Sequence, residues 1–452
     1  MTEHLVVIGA DAAGMSAASQ ARRRRGLDQL RITAFERGTF SSYSACGIPY
    51  WVGGEVPGRD ALIARTPAEH RSRGIDLRLG TEVVEIDPVG RRVRGRELAT
   101  GAEQWTGYDH LVIATGAEPV RPDRPGFTAP GVHGVQTLDE GAALLDSLRH
   151  GVRQVVVVGG GYIGVEVAEA MLRRGLEVTM LHRTPEPMPT LDLDLGRLVR
   201  EGLERLGVAV LPGAEALEVL LGPDGRPRAV RSTAGEHPAD LVVLGLGVRP
   251  RTALARAAGL PLGVYGGLRT DETMRVLGTE DVWAGGDCVE VLNLVSGRHQ
   301  HVALGTHANK HGLVIGTNLG GGRAAFPGVV GTAVTRVCDL EIARTGLTER
   351  QATAAGLRHT VAVVESTAQA GYLPGAPRLT VKILAEHGTG RLLGMQIVGG
   401  PGAAKRIDVA AVALAGRLTV EQLVHQDLGY APPFSPVWDP VLVAARKAAN
   451  QL

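Results

Sequence analysis

The sequence has few aromatic residues, few cysteines and almost no net charge. Aromatic side chains make up 4% of the chain, and its three cysteines, Cys46, Cys288 and Cys338, lie far apart. An odd number of isolated cysteines argues against a disulfide framework and is typical of a reducing compartment. Lys and Arg total 48 and Asp and Glu total 47, so no overall field favours nucleic acid or an anionic membrane. Any anionic ligand must therefore be bound by local groups.

The chain also lacks a long apolar run and an amino-terminal leader pattern. No uncharged apolar stretch reaches the roughly 18 residues that a membrane span needs, and residues 1–4 lead directly into the apolar segment 5–8. These features predict a cytoplasmic protein with no membrane or nucleic-acid partner. Glycine, by contrast, is abundant, at 62 of 452 residues. Without a collagen period, so many glycines indicate tight turns and close backbone approaches.

One glycine-containing unit occurs twice. Residues 5–37 and 155–183 both contain an apolar strand, a glycine turn, a helix of small residues and a second strand. In such a βαβ unit the helix N-terminus presents free N–H groups and the positive end of its dipole to a pyrophosphate. Two units therefore predict two bound dinucleotides.

The glycine pattern is stronger in the second copy than in the first. The second copy has Gly159, Gly161 and Gly164 in the full dinucleotide-binding spacing, whereas Asp11 stands at the middle position of the first. A single pattern of this kind is weak evidence, because glycine turns also serve close helix packing. Its repetition favours nucleotide binding.

The residues that follow each second strand distinguish the two ligands. Glu36 closes the first unit, where a carboxylate can accept hydrogen bonds from an adenosine ribose. This acid favours FAD and disfavours a 2′-phosphate. The second unit ends in His182 and Arg183, which place a cation where a 2′-phosphate would lie. We therefore expect NADPH as the second dinucleotide, with NADH as the alternative, unless Arg183 is only a solvated surface residue.

Two later segments complete the predicted flavin site. Residues 111–116 form an apolar strand that ends in a small-residue turn, and 282–287 form a strand that ends in Asp287, which can accept a hydrogen bond from a ribityl hydroxyl. Because these segments flank the second unit, the fold is predicted to be α/β with two nested Rossmann-like domains and a C-terminal α+β domain. The expected divisions are 1–117 with 245–325 for FAD, 118–244 for NAD(P)H, and 326–452.

The C-terminal part has a different pattern. Residues 379–384 and 392–398 alternate in the manner of antiparallel strands, and helical patterns follow near 407–415 and 419–424. This part has no nucleotide signature. Its expected role is packing or dimerisation.

Cys46 is the candidate redox residue. It lies in segment 41–50, shortly after Glu36, and at the start of a helix its thiolate would be stabilised by the dipole and by free N–H groups. A thiolate is the form that attacks disulfides. A lone cysteine is more often inert core, but the position of Cys46 between two nucleotide motifs favours chemistry.

With these residues the sequence resembles the pyridine nucleotide-disulfide oxidoreductases over essentially its whole length. The resemblance rests on 46–50, both glycine turns, 284–287 and 430–435. It is strongest to the single-cysteine group that includes coenzyme A-disulfide reductase, NADH oxidase and NADH peroxidase. The resemblance implies a homodimer with one FAD per subunit, in which the C-terminal domain completes the partner's active site.

Details of the sequence discriminate among branches of this family. Members with paired cysteines carry the second one at positions that are Pro49 and Trp51 here. The reaction partner of Cys46 is therefore expected to come from a small molecule or from oxygen chemistry. The oxidases and peroxidases carry a histidine in the first glycine turn, where this chain has Ala12. That difference argues against peroxide as the main substrate.

The closest resemblance, to coenzyme A-disulfide reductases, implies catalytic tyrosines from the partner's C-terminal domain. Tyr430 falls in the matching segment, and Tyr372 falls in the family's other tyrosine segment, where Leu373 replaces a second tyrosine. Ala45 replaces an asparagine that some of these reductases carry beside the cysteine. The resemblance therefore implies the reduction of a small disulfide.

The sequence thus predicts an FAD-dependent NAD(P)H oxidoreductase that reduces a small disulfide, coenzyme A disulfide in the first place, through Cys46 and a mixed disulfide. An NAD(P)H oxidase or a persulfide or polysulfide reductase is the alternative, and a flavin redox sensor or electron-transfer protein without turnover is a further one. Arg22 and Arg23 offer cations for coenzyme A phosphates, or else form a solvated face.

The candidate residues fall into three groups, and no metal site is predicted. The catalytic candidates are Cys46, Tyr430 and Tyr372. The candidates for cofactor binding are Gly9, Ala13, Gly14, Glu36, Arg37, Ser44, Thr115, Gly116, Gly159, Gly161, Tyr162, Ile163, Gly164, Glu166, His182, Arg183, Gly247, Gly286 and Asp287. The candidates for substrate binding are Arg22, Arg23, Ser42 and Asn309.

Overall fold

The amino-terminal part of the chain builds a parallel sheet with a small antiparallel sheet beside it, in a computed structural model that describes residues 2–452. Short 3-10 turns occupy Ala45–Gly47 and Arg59–Leu62. The helices and strands of this part are β1 (Glu3–Ile8), α1 (Ala12–Arg24), β2 (Leu30–Phe35), α2 (Ile48–Gly53), α3 (Pro67–Ser72), β3 (Ile75–Arg78), β4 (Thr81–Asp87), β5 (Arg92–Glu97), β6 (Glu103–Gly107), β7 (His110–Ile113) and β8 (Ala117–Pro119).

The middle of the chain builds a second parallel sheet. Its elements are β9 (Val132–His133), α4 (Leu138–Ser147), β10 (Gln154–Val158), α5 (Tyr162–Arg173), β11 (Glu177–His182), α6 (Leu193–Arg205), β12 (Ala209–Pro212), β13 (Ala216–Leu221), β14 (Pro227–Ser232), β15 (Gly235–Pro238), β16 (Leu241–Leu244) and β17 (Val248–Pro250).

The rest of the chain returns to the first sheet and then forms a third. A 3-10 turn occupies Ala404–Arg406. The helices and strands are α7 (Ala253–Ala257), β18 (Val282–Ala284), β19 (Glu290–Leu292), β20 (His299–His301), α8 (Gly305–Leu319), β21 (Ala333–Val337), β22 (Leu340–Gly346), α9 (Glu349–Ala354), β23 (His359–Thr367), β24 (Arg378–Glu386), β25 (Leu392–Gly399), α10 (Ile407–Ala415), α11 (Val420–Val424) and α12 (Pro440–Ala449).

The first α/β unit is the sheet with strand order β18-β7-β1-β2-β3 and the helices that cover it. Its central strands are apolar and buried, because helices cover both faces of a parallel sheet. Helices α1 and α8 pack closely, since a Cβ on Gly312 would lie 2.4 Å from Ala13 O. Strand β18 joins this sheet from beyond the second unit. That connection confirms the predicted nested architecture.

The second α/β unit is the sheet with order β12-β11-β10-β16-β9, flanked by the antiparallel strands β13, β14 and β15. Strand β8, which leads into this unit, pairs antiparallel with β17, which leads out of it, so that Pro119 lies opposite Val248. Both predicted βαβ units are thus present, as β1-α1-β2 and β10-α5-β11.

The C-terminal unit is the antiparallel sheet β21-β22-β25-β24-β23 with helices α10 and α12 packed on it. The two predicted strands pair in register, with Thr380 opposite Val398. The predicted helices form as well. Helix α11 begins at Val420 because Thr419 caps it, accepting a hydrogen bond from the Gln422 N–H. Among residues 2–452, no helix is long and apolar enough to cross a membrane.

A buried lysine joins the second unit to the C-terminal unit. Lys382 Nζ lies 2.7 Å from Asp194 Oδ1, 2.5 Å from Glu349 Oε1 and 3.3 Å from Asp192 Oδ2. Burial alone lowers the pKa of Lys382, but the hydrogen bonds to Asp194 and Glu349 and the charge of Asp192 outweigh it and raise that pKa. Gln396 donates a further hydrogen bond to Asp192. The lysine thus supplies the positive charge among these three carboxylates.

Candidate active site

The first glycine turn connects β1 to α1 and is closed by two backbone contacts. Gly9 has φ +97, and a Cβ there would lie 2.1 Å from Ala114 O. A Cβ on Gly14 would lie 1.9 Å from Gly9 O. Only glycine allows these approaches, which bring the start of α1 against the turn with its N–H groups directed outwards.

Glu36 stands at the end of β2 beside this turn. Its carboxylate accepts hydrogen bonds from the Ala10 N–H at 2.9 Å and the Gly38 N–H at 2.8 Å. A carboxylate has about four acceptor positions, so acceptor capacity remains for a ribose hydroxyl. This arrangement fits an adenosine diphosphate lying over the turn.

Asp287 follows β18 on the same edge of the first sheet. Burial raises the pKa of its carboxyl, and the charge of His301 partly opposes that effect. The Nε2 atom of His301 lies 2.8 Å from the backbone oxygen of Asp287 and holds this turn in place. Two carboxylates, those of Glu36 and Asp287, and the backbone of the glycine turn thus line one edge of the first sheet. This arrangement fits FAD.

The second glycine turn repeats the first. Gly159 has φ +117, and its Cβ would lie 2.2 Å from Gly245 O, while a Cβ on Gly164 would lie 1.9 Å from Gly159 O. Gly161 differs, because no atom of any residue beyond its two chain neighbours lies within 4 Å of the position of its Cβ. Protein packing therefore does not require glycine at 161. The open space fits a pyrophosphate against the N-terminus of α5.

The end of β11 presents one free cation. Arg183 is exposed and has no hydrogen bond or ion pair with any residue in the described range 2–452. His182 is buried, and burial lowers its pKa, so this imidazole is neutral at neutral pH. Arg183 is therefore the charged group of the pair.

Helix α5 carries two further candidates between the second turn and the redox cysteine. The Tyr162 hydroxyl accepts a hydrogen bond from Thr190 Oγ1 at 3.4 Å. Glu166, about one turn further on, accepts one from Thr335 Oγ1 at 2.8 Å, and burial raises the pKa of its carboxyl. Thr335 belongs to the C-terminal unit, so the position of Glu166 depends on both units.

The remaining candidate cofactor residues surround the two turns. Thr115 donates its hydroxyl hydrogen to Arg251 O at 2.7 Å. Gly116 and Gly247 have positive φ, and no atom of any residue beyond their chain neighbours lies within 4 Å of an added Cβ. A Cβ on Gly286 would lie 3.1 Å from that of Ala13. Ala13 is buried, Ile163 is half-buried, and Arg37 and Ser44 are exposed.

Cys46 lies in the 3-10 turn Ala45–Gly47, and its side chain is exposed. The protein on its other sides still partly desolvates the thiol, and this effect, with the negative charges of Glu166 and Asp287, raises the pKa of Cys46. The expectation that the helix dipole would favour the thiolate is therefore wrong for this structure. Helix α2 starts only at Ile48 and is short, and partial burial together with the two carboxylates outweighs any effect of its dipole.

A cavity of about 420 Å³ opens next to the segment that carries Cys46. Two cations, Arg23 and Arg65, line this cavity. Ser44 also lines it and lies two positions before Cys46 in the sequence. The Asn309 Oδ1 atom accepts a hydrogen bond from Ser16 Oγ at 2.9 Å across it. The lining residues are Asp11, Ala12, Met15, Ser16, Ser19, Gln20, Arg23, Ser42, Tyr43, Ser44, Ala64, Arg65, Asn309 and Leu313.

Arg22 does not reach this cavity, contrary to expectation. Its guanidinium donates hydrogen bonds to the backbone oxygens of four residues, at 2.6–3.2 Å. On a helix, adjacent residues point in different directions, so only one of Arg22 and Arg23 can face the cavity. Arg22 instead ties the end of α1 to the loops beside it. The four acceptors are Arg25, Gly26, Leu30 and Gly74.

Tyr372 and Tyr430 lie in two segments of the C-terminal unit that contact each other. The Ala370 N–H donates to Pro432 O at 2.9 Å and so joins the two tyrosine segments. Tyr372 is 73% exposed and Tyr430 is 50% exposed. Neither lines the cavity.

Several residues of the cavity were not identified from the sequence. Asp11 accepts a hydrogen bond from the Tyr43 N–H at 3.1 Å, and burial raises the pKa of its carboxyl to about 6. Arg65 comes from the loop between the 3-10 turn Arg59–Leu62 and α3. No local pattern marks such residues, because the cavity forms only when α1, α8 and two loops meet.

The sequence also matches family descriptions over nearly its whole length. Residues 3–312 match the family described as pyridine nucleotide-disulphide oxidoreductase, and residues 332–440 match the dimerisation domain of that family. The chain belongs to the pyridine nucleotide-disulphide oxidoreductases. This membership confirms the resemblance inferred from Cys46 and the two glycine turns, and with it a flavoprotein that uses FAD and NAD(P)H.

Similar members of this family include sulfur-reducing enzymes and NADH oxidases. The chain is 37% identical, over 99% of its length and 98% of the relative, to an NAD(P)H coenzyme A polysulfide/persulfide reductase of Pyrococcus horikoshii. It is 26% identical, over 99% of both chains, to a coenzyme A disulfide reductase of Staphylococcus haemolyticus. The structure of an NAD-dependent persulfide reductase from A. fulgidus superposes with a TM-score of 0.95 at 38% identity, covering 99% of this chain and 83% of that one.

Proposed function

We propose that this flavoprotein uses NADPH to reduce the sulfur-sulfur bond of a coenzyme A disulfide through Cys46. The observation that carries the proposal is the exposed Cys46 beside a cavity with two cations, Arg23 and Arg65. Guanidinium groups bind phosphates by charge-assisted hydrogen bonds. A thiol substrate that carries phosphates can therefore place them on these arginines while its sulfur reaches Cys46.

In this proposal, different parts of the chain bind the two dinucleotides. Residues 1–117 and 245–325 would hold FAD, residues 118–244 would hold NADPH, and residues 326–452 would form the dimer contact. Glu36 and Asp287 would accept hydrogen bonds from ribose and ribityl hydroxyls, and Arg183 would pair with the 2′-phosphate. When bound, FAD would supply the two-electron transfer between nicotinamide and sulfur. Tyr162 and Glu166 on α5 shape the space between the two sites.

The sulfur chemistry takes place on Cys46. Two electrons cleave a mixed disulfide between Cys46 and coenzyme A, giving the Cys46 thiolate and one coenzyme A thiol. The thiolate then attacks the next coenzyme A disulfide, so that one S–S bond forms, one breaks and a second thiol leaves. NADPH and one proton are thus consumed for two thiols. Because the attacking form is the thiolate, we expect the attack to accelerate with rising pH.

The second subunit of a homodimer is proposed to complete this site. Tyr372 and Tyr430 are exposed on the C-terminal unit and do not line the cavity of their own chain. Phe434 is also exposed there, at 75%. In the proposed dimer these surfaces pack against the partner subunit, and Tyr430 protonates the leaving thiolate.

A coenzyme A persulfide is the second candidate substrate. The relative in Pyrococcus horikoshii is named for coenzyme A polysulfide or persulfide, and the A. fulgidus structure is described as a persulfide reductase. The same cavity can bind the coenzyme A portion of either substrate. The two differ only in whether the second product is a thiol or sulfide.

The test is anaerobic NADPH oxidation by FAD-loaded protein with coenzyme A disulfide, coenzyme A persulfide, glutathione disulfide and cystine. We expect turnover with coenzyme A disulfide, and loss of that turnover in Cys46→Ser with FAD retained. Sulfide release with persulfide alone moves the function to the second candidate. Full turnover by Cys46→Ser contradicts the thiol mechanism. Oxygen consumption as the only activity moves the function to an oxidase.

A further inference from the structure

Ser42 lines the cavity beside Cys46. It has a backbone conformation that residues other than glycine rarely adopt. Its φ is +50. Its N–H donates to Ala10 O at 3.2 Å, and its backbone oxygen accepts from the Ala64 N–H at 2.8 Å. The left-handed conformation persists only where the surroundings over-determine it. The loop that leads to Cys46 is therefore held by contacts from several segments.

A buried histidine contacts the side chain of Ser42. His70, on α3, is 0% exposed, and its Nε2 atom lies 3.0 Å from Ser42 Oγ. Its other ring nitrogen, Nδ1, is buried and has no hydrogen-bond partner among residues 2–452. This imidazole therefore has one polar contact, and that contact is a residue of the cavity wall.

His70 is neutral at neutral pH. Burial lowers its pKa to about 4, and the charges of Arg65 and Arg73 act in the same direction, with Glu69 opposing them. A neutral imidazole carries one N–H. Either Nε2 donates to Ser42 Oγ, or Ser42 donates to Nε2.

The environment of Nδ1 decides between these tautomers. If the hydrogen were on Nδ1, a buried N–H would have no acceptor, which proteins avoid more strongly than an unused acceptor. The hydrogen is therefore placed on Nε2, which donates to Ser42 Oγ. The hydroxyl hydrogen of Ser42 is then free, and the cavity is the space into which it can donate.

We propose that His70 is a positioning residue that turns the hydroxyl hydrogen of Ser42 into the cavity, where it binds an oxygen acceptor on the coenzyme A portion of the substrate. The inference rests on the proposed function. It assigns to His70 a role in substrate affinity and none in electron transfer. The acceptor is an amide oxygen of the pantetheine arm or a phosphate oxygen.

The test compares His70→Phe, Ser42→Ala and the double variant in FAD-loaded enzyme. Because one hydrogen bond is lost, we expect the KM for coenzyme A disulfide to rise about tenfold in each single variant. We expect kcat and the rate of flavin reduction by NADPH to stay within about twofold, since neither side chain takes part in electron transfer. If the two residues act as one unit, the double variant resembles Ser42→Ala.

His4→Phe is the matched control. His4 is also a buried histidine of the first α/β unit, and its Nε2 lies 3.0 Å from Thr33 Oγ1, away from the cavity. His4→Phe should lower the melting temperature without changing the KM for coenzyme A disulfide. His70→Gln, whose amide N–H can replace the Nε2 donor, should restore much of the affinity and serves if His70→Phe does not fold.

The substrate series locates the acceptor. A rise in KM for pantethine as well identifies an amide oxygen, and a rise for coenzyme A disulfide alone identifies a phosphate oxygen. An equal rise for cystine overturns the inference, as do additive effects in the double variant or an unchanged KM.

Calorimetric titration of coenzyme A into the FAD-loaded protein separates this inference from the proposed function. Weaker binding in both single variants supports the inference even where no disulfide turns over. If the wild-type protein binds no coenzyme A, both proposals fail. If the wild type turns over and the variants match it, only the role of His70 fails.

Discussion

Partial burial, with the negative charges of Glu166 and Asp287, determines how Cys46 responds to pH. Like charges disfavour the thiolate, so the pKa of Cys46 is raised by partial burial and by these carboxylates. Below that pKa, reactivity follows the small thiolate fraction. Removing one carboxylate should therefore increase the reactivity of Cys46.

We predict that Glu166→Gln lowers the pKa of Cys46 and speeds its alkylation by iodoacetamide at pH 7 by about threefold or more, the amount that a shift of half a pKa unit gives. The glutamine can still accept the hydrogen bond from Thr335. The measurement is the alkylation rate against pH in the thiol form of the FAD-loaded protein. Glu177→Gln, on the exposed start of β11, is the control. A slower rate in Glu166→Gln would refute this account of the charge.

Arg183 determines the choice of dinucleotide in the proposed function. We predict that Arg183→Glu reduces kcat/KM for NADPH by about 10- to 100-fold, because a charge-assisted hydrogen bond to the 2′-phosphate is replaced by repulsion. The value for NADH should change little. Arg153→Glu, just before β10 and away from the glycine turn, makes the same charge change as a control. An unchanged ratio of the two values would show that Arg183 does not contact the 2′-phosphate.

At the scale of the element, the glycines of the second turn have two different roles. Some are needed for folding, and one is needed for a ligand. Gly164 lies against the Gly159 carbonyl, whereas the Cβ position of Gly161 is open. Gly161 also has φ −85, which alanine adopts without strain. The two positions should therefore respond differently to the same substitution.

We predict that Gly164→Ala destabilises the protein by about 3 kcal/mol, the usual upper cost of overpacking. Gly161→Ala should leave the melting temperature unchanged and weaken NADPH binding about tenfold, because the added methyl occupies the pyrophosphate space. Thermal unfolding and dinucleotide titration check the pair. Equal melting temperatures for both variants would contradict this division.

The elements that the sequence predicted well are those with local signals. Both βαβ units repeat a glycine spacing, and the strands near 379–384 and 392–398 alternate in polarity, so their formation depends on neighbours in the sequence. The cavity beside Cys46 depends on long-range packing. Arg22 and Arg23 are adjacent in sequence, and only the packing of α1 shows that Arg22 binds backbone oxygens while Arg23 faces the cavity.

The pKa of Cys46 illustrates the same limit. The sequence places the cysteine near the start of a helix, which suggests a stabilised thiolate. The opposing charges come from Glu166 and Asp287, which are distant in the chain and approach Cys46 only in the folded protein. Short-range patterns carry no information about them.

At the scale of the whole molecule, the contact around Lys382 holds the second unit against the C-terminal unit. The side chain of Lys382 is 3% exposed and its partners come from both units. Because its folded pKa is raised, its contribution to stability is full below the unfolded value and is lost only as the pH rises through the folded one. The contact should therefore remain intact throughout the neutral range.

We predict that Lys382→Met destabilises the protein by about 2–3 kcal/mol, because it leaves carboxylates close together without a cation. Thermal unfolding checks this. Lys405→Met, at an exposed ion pair with Asp408, is the control and should cost little. An equal loss of stability in both variants would contradict this account of the contact.

The antiparallel pair β8 and β17 brings the two connections between the first and second α/β units side by side. The chain leaves the first unit along β8 and returns along β17, with Pro119 opposite Val248, so entry and exit are about one strand spacing, near 4.8 Å, apart. An insertion with adjacent ends disturbs its host little. A two-residue turn could therefore bridge the ribbon and leave the first sheet connected. A foreign dinucleotide-binding unit exchanged at this point would also have to cover the apolar side chains of α2 and of the C-terminal sheet that pack against the second unit.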